Sequence, residues 1–260
     1  MPTYYNPRRK LIGLDEKNED EDIVPFVNQN QQYIPRITMS NVNTSPVILY
    51  SNPNVYALFS QLVHTPFENL GAIAASNGVA EHILSDELFW VYKLYNDYFV
   101  DKDQVDHFVK NIGLINIPHN YINFLNAEPY LTVYKILMND DENGRLTMAL
   151  VLGSFPLYTK IISTLGANID QDVWHNILYY AAIGGNVQIF KSLIDMGATG
   201  DYLKVISYLI ETDNLELFEY VLKLVSLPDS TLKQLYTMAL NKNSGNIAES
   251  IKSAYPNLFH

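Results

Sequence analysis

The chain has 260 residues, of which 48% are apolar and 17% charged, so it carries enough apolar side chains to build a sizeable core. Its 28 Asp and Glu outnumber 17 Lys and Arg, and a formal net charge of -11 leaves no surplus of cations for neutralising phosphates; nucleic acid is excluded as an expected partner. With a Cys count of 0 there are no disulfides, thiolate zinc sites or cysteine nucleophiles.

The start, MPTYYNPRRK, has two early prolines and no apolar run behind its charges, so it reads as neither a secretory signal nor a transit peptide. Residues 1–50 continue with an acidic run from Asp15 to Asp22, then NQNQQ and prolines 25, 35 and 46. Such a segment offers little apolar surface against the entropy of ordering it, and an extended or flexible arm is expected. From Asn52 onward apolar residues recur at helical spacing, in stretches of about 8 to 14 residues punctuated by Gly, Pro, Asn and Asp. Examples are Val55-Leu58-Phe59-Leu62, then Leu84-Leu88-Phe89-Val91-Tyr92-Leu94-Tyr95, then Val105-Phe108-Val109-Ile112. Two-residue alternation is scarce apart from Val47 to Tyr50. The longest apolar stretch, Leu146 to Tyr158, is broken by Gly153, Ser154 and Pro156, whereas a bilayer span needs about 20 residues. The expectation is an all-α protein that does not engage a membrane.

One stretch in the C-terminal half stands out. Asn176-Ile-Leu-Tyr-Tyr-Ala181-Ala182-Ile-Gly-Gly185-Asn186 continues through Ile189, Phe190, Leu193 and Ile194 to Gly197-Ala198, and it resembles the ankyrin repeat, with the usual Thr-Pro-Leu-His opening replaced by Asn-Ile-Leu-Tyr. Gly185 and Gly197 can end two short helices in the left-handed conformation. Ala181 and Ala182 let neighbouring inner helices approach, while Phe190, Leu193 and Ile194 supply a stripe that one unit alone cannot bury. Fainter copies flank it. Gly153 precedes Gly185 by 32 residues, and Asn186-Val-Gln-Ile-Phe is echoed at Asn214 and Asn246, 28 and then 32 residues further on. That spacing is near the ankyrin period. The resemblance implies about four degenerate repeats over 125–260, Glu128 to Asp140 being a further candidate unit and Lys242 to Lys252 a solvated cap. The partner surface it implies is the concave side, here Asp172, Trp174, His175, Tyr179, Tyr180 and Ile183. Trp174 and the paired tyrosines offer large, stiff contact area.

Residues 51–124 are read as a helical module with connecting helices, and a second resemblance lies within residues 53 to about 99. Pro53, Leu58-Phe59, Leu62, Pro66-Phe67, Leu70 and Ser85-Asp-Glu-Leu-Phe89-Trp90 are similar to an F-box, the three-helix module that docks on a Skp-type adaptor of cullin ubiquitin ligases. Its implied contact set is Leu58, Phe59, Leu62 and Pro66. An F-box-like segment joined to ankyrin repeats in an Asn-, Tyr- and Ile-rich chain resembles proteins of large DNA viruses of amoebae.

Reactive chemistry finds no foothold in the pattern. There is no phosphate loop, dinucleotide fingerprint or nucleophile elbow. Histidines 64, 82, 107, 119, 175 and 260 never pair at i, i+4, and no metal or cofactor is expected. Asp101 to Asp106 reads as a helix start and Asn139 to Gly144 as a turn, neither having the ligand alternation of a calcium loop. The sequence therefore points to a non-enzymatic, cytoplasmic protein (host cytoplasm or virion, if viral). The implied role is a substrate adaptor that holds a protein target on its repeats and recruits a ubiquitin ligase. A plain ankyrin scaffold, and an assembly component whose arm threads between neighbours, are the alternatives.

Overall fold

The computed structural model describes residues 52–112, 119–166 and 168–259, and every regular element among them is helical. The arm expected over residues 1–50 lies outside the described residues.

In the N-terminal part, α1 (Pro53–Val63), α2 (Phe67–Ser76), α3 (Gly78–Leu84), α4 (Glu87–Tyr98) and α5 (Lys102–Asn111) precede α6 (His119–Ala127) and α7 (Pro129–Asn139). Their starts follow from local chemistry. Asn52, Asn77 and Asp86 accept hydrogen bonds from first-turn amides, and Asp101 forms a reciprocal capping box with Gln104, as the acidic helix start implied. Inside, Phe59, Phe89, Trp90, Phe67, Tyr134 and Tyr98 meet edge-on, tilted or stacked with ring centroids 5.0–6.1 Å apart. Buried beside them, Lys93 donates to the carbonyls of Val63 and Thr65, both at 2.8 Å, and pairs with Asp97 at 2.8 Å. Tyr134 completes the group by donating to Asp97 at 2.7 Å. The lysine thus answers carbonyls left open at the end of α1. Helix α4 packs chiefly on α7, and one apolar core includes residues of both.

Then come α8 (Glu142–Leu152), α9 (Phe155–Leu165), α10 (Gln171–Gly184), α11 (Val187–Asp195), α12 (Tyr202–Glu211), α13 (Leu215–Leu224), α14 (Asp229–Asn241) and α15 (Gly245–Ala254). They form four antiparallel pairs, α8/α9, α10/α11, α12/α13 and α14/α15. Even-numbered members contact one another in order along one side, and odd-numbered members do so along the other. A closing single turn, Pro256–Leu258, brings the Phe259 ring within 4.5 Å of Tyr236 on the last pair.

A common device joins each pair. The connecting residue is left-handed at Gly153 (φ 66), Gly185 (φ 68), Asp213 (φ 51) and Asn243 (φ 60), and the next residue opens the following helix. Those openers, Ser154, Asn186, Asn214 and Ser244, also donate backwards to the carbonyls of Phe99, Gly153, Gly185 and Ile210. Each turn is thereby tied to the one before it. The sequence echo puts Asn246 in the last of these positions; Ser244 holds it instead, and Asn246 sits exposed in the first turn of α15. The row of pairs begins at Glu142, so Glu128 to Asp140 belongs to α7, which packs on α4, α5 and α8.

At the α7–α8 junction, Asn139 to Gly144 is more than a turn, for α8 already starts at Glu142 with Asp141 accepting from the Gly144 amide at 2.8 Å. Asp140 is buried there with its Oδ2 unpartnered. Burial, and then the neighbouring Asp141 charge, push its carboxyl up to about 7, against the opposing pull of Arg145.

Candidate functional site

The six residues expected on the concave side all belong to α10, and the structure divides them. Asp172, His175 and Tyr179 follow one another at spacings of three and four, which puts them on one face of the helix. Asp172 and His175 are exposed, and Trp174 and Tyr179 half-buried. Tyr180 and Ile183 are buried, because α10 lies between α8 and α12 and these positions fill the space between the inner helices. They hold the row together and have little to present to a partner.

Tyr179 is the centre of the accessible part. Lys204 of α12 lies with its Nζ 3.9 Å from the Tyr179 ring centroid, a close cation–π contact. Tyr208, also from α12, meets the same ring edge-on at 5.8 Å. Tyr208 is buried with its Oη unpartnered, and burial raises its phenol above the ordinary value. Further along, Glu211 pairs with Lys242 at 2.7 Å, carrying the polar strip from α12 to the end of α14. The result is a mixed-charge face with a stiff aromatic centre, contributed by successive even-numbered helices.

Lys204 and Tyr208 were not among the expected residues. The signal for Tyr208 was available, since it stands 28 residues after Tyr180, the same step that separates Asn186 from Asn214. Lys204 carries no such signal, and its position over Tyr179 follows only from the packing of α10 on α12.

Of the F-box-like contact set, Phe59 and Leu62 are buried in the core of α1–α4, Leu58 is half-buried, and Pro66 is exposed. The same apolar character that drew attention to Phe59 and Leu62 makes them core residues. Only Leu58 and Pro66 remain within reach of a partner.

Among the described residues no group of three or more His or acidic side chains gathers as a metal site, and no helix is long and apolar enough to cross a membrane. Comparison with family models, curated proteins and solved structures found no match for this chain.

Proposed function

We propose that the chain is a protein-binding scaffold of the ankyrin type, holding a protein target along the even-numbered helices. The observation that carries this reading is the ordered row of four short helical pairs, each turn tied to the previous one through the residue that opens the outer helix. Such a row builds an extended face from consecutive units and gives it rigidity through nearest-neighbour contacts. The face centred on Tyr179, with Asp172, His175 and Lys204 around it and Tyr208 edge-on to its ring, supplies aromatic area with few rotatable bonds and charges of both signs. That is the composition of an interaction hot spot.

The test uses the full chain with a photo-crosslinking residue placed at His175, or at Glu219 on the opposite side, in extract from cells that express it. A partner should be crosslinked at least tenfold more from His175. Lys204→Glu should lower that yield by a similar factor without changing the melting temperature. Equal crosslinking from both positions, or indifference to Lys204→Glu, overturns the proposal.

The second reading, a ligase adaptor, is favoured by the compact packing of α1–α4 around Phe59, Leu62, Phe89 and Trp90, as the F-box resemblance implies. It predicts that purified protein retains a Skp-type adaptor and that Leu58→Asp with Pro66→Asp abolishes retention. Pro66 is exposed and Leu58 half-buried against the core, so the melting temperature is read alongside, and the loss of retention counts only where that temperature is unchanged.

A further inference from the structure

A line of basic side chains crosses the even-numbered helices. His175 stands ten residues before the turn at Gly185, Lys204 nine before the turn at Asp213, and Lys233 ten before the turn at Asn243. Since each of these turns is tied to the one before it, the three side chains occupy one level of α10, α12 and α14. All three are exposed. Because α12 packs on α10 and α14 on α12, successive members are one helix apart, about 8–10 Å. The middle one is held in place: Lys204 lies over the Tyr179 ring, and His175 stands one turn before Tyr179 on the same face.

Helix electrostatics does not account for these residues. Each falls within the first five residues of its helix, at the end where the dipole favours anions. The aspartates one turn earlier do suit that end. Asp201 caps α12 by accepting from the Lys204 amide at 3.0 Å, and Asp172 and Asp229 lie in the first turns of α10 and α14. Asp172 with His175 and Asp229 with Lys233 stand at ion-pair spacing, yet among the described residues neither couple closes an ion pair. Further along, Lys242 is taken up by Glu211. On a chain of net charge -11, the line is where a partner's carboxylates find cations on this side.

We propose that the target presents an extended acidic segment whose carboxylates meet His175, Lys204 and Lys233 as it crosses α10, α12 and α14 beside Tyr179. At about 3.3 Å per residue, every third residue of such a segment advances about 10 Å, the step between neighbouring helices. Asp172, Asp201 and Asp229, one turn to the side, repel carboxylates and confine the segment to the basic line. This rests on the reading of the even-numbered helices as the target-binding side, and adds the chemistry of the target.

The probe is a fluorescent nine-residue peptide with glutamate at every third position in a glycine-serine background, read by anisotropy against the full chain at low salt. It should bind about tenfold tighter than its glutamine counterpart, three exposed charge contacts being worth about that much together. Lys204→Gln with Lys233→Gln should weaken it about fivefold. Lys223→Gln with Lys252→Gln takes the same charge from exposed positions on the odd-numbered helices and should leave it within about twofold. Melting temperatures are read for both pairs, and excess glutamate peptide, not glutamine peptide, should lower the yield of partner crosslinked from His175. Equal affinity for the two peptides, equal loss from the two lysine pairs, or a crosslinking yield indifferent to the glutamate peptide overturns the proposal. The reading of the face survives any of these while His175 still crosslinks its partner. Tighter binding of a lysine peptide also overturns the proposal, for the aspartates are then the seat. If His175 crosslinks nothing, that reading fails and the acidic target with it.

Discussion

Gly153 and Gly184, at the ends of α8 and α10, touch backbone to backbone. A Cβ on Gly184 would lie 2.6 Å from the Gly153 nitrogen and 2.8 Å from its Cα, with the Leu150 carbonyl oxygen nearer still. No side-chain motion relieves a clash with main chain, so the two units would have to separate. Gly184→Ala is expected to lower the stability to unfolding by about 3 kcal/mol. A methyl group added at Gly245, in the first turn of α15, would meet nothing within 4 Å, and Gly245→Ala should instead stabilise by about 0.5 kcal/mol. Denaturant titration of the two variants measures both, and equal effects would count against the packing described.

Asp140 makes stability depend on pH. Its carboxyl is held up at about 7 in the folded chain against 3.8 for the free group, so between these values the folded state binds the extra proton. Stability contributed by this residue therefore falls as pH rises from about 4 to about 7 and is level above that. Asp140→Asn removes the slope. The variant should gain about 1–3 kcal/mol over the natural chain at pH 8 and little at pH 4. Chemical denaturation across that pH range checks it, and a difference independent of pH would place the strain elsewhere.

Buried Lys93 and half-buried Asp97 form a pair that also serves two carbonyls and a tyrosine hydroxyl. Lys93→Met leaves the Val63 and Thr65 carbonyls without their donor and Asp97 without its ammonium, and should destabilise by about 2–3 kcal/mol. Adding Asp97→Asn removes the orphaned charge and should recover at least 1 kcal/mol of that, as a rough expectation for a coupled pair. A double-mutant cycle read by thermal unfolding decides it. Additive losses would mean that the two side chains act separately.

Asn186 has two tasks, accepting from the amides of Gln188 and Ile189 and donating to the Gly153 carbonyl at 2.9 Å. Asn186→Ala loses the cap and the tie between units, for about 2 kcal/mol. Asn186→Ser should cost under about 1 kcal/mol, since Ser154 and Ser244 show that a serine in this place makes the backward bond, and a serine oxygen is in general a favoured cap. Equal losses from the two variants would assign the stability to something other than the capping oxygen.

The helices and the turns at Gly153 and Gly185 were legible because glycine announces a left-handed position. Asp213 and Asn243 take the same conformation without that signal, and Ser244 replaces the expected asparagine, so the spacing blurred where the structure did not. Asp101 to Asp106 announced a helix start through acidic side chains suited to the positive end of the dipole, and Asp101 caps that helix with Gln104. The candidate face was half legible. Repetition along the row located α10, while Tyr208, though it stands 28 residues after Tyr180, was not among the expected residues. Which apolar residues faced inward depended on contacts between α8, α10 and α12, and residues such as Ile183 and Tyr180 look alike in a sequence whether they lie in a seam or on a surface. The Lys93 network left no trace, because its partners are main-chain oxygens some 30 residues away in sequence.

Helix α5 packs on α7, α8 and α10, with Gln104 donating to the Gly153 carbonyl at 3.2 Å and His107 within 3.2 Å of the Ile183 carbonyl. It lies like a brace across the first two turns of the row, and the turns at Asp213 and Asn243 sit beyond its end. The chain is therefore mechanically graded. Under tension from the C-terminus, the α14/α15 and α12/α13 pairs would peel away one after another at low force, and rupture would stall where the brace begins.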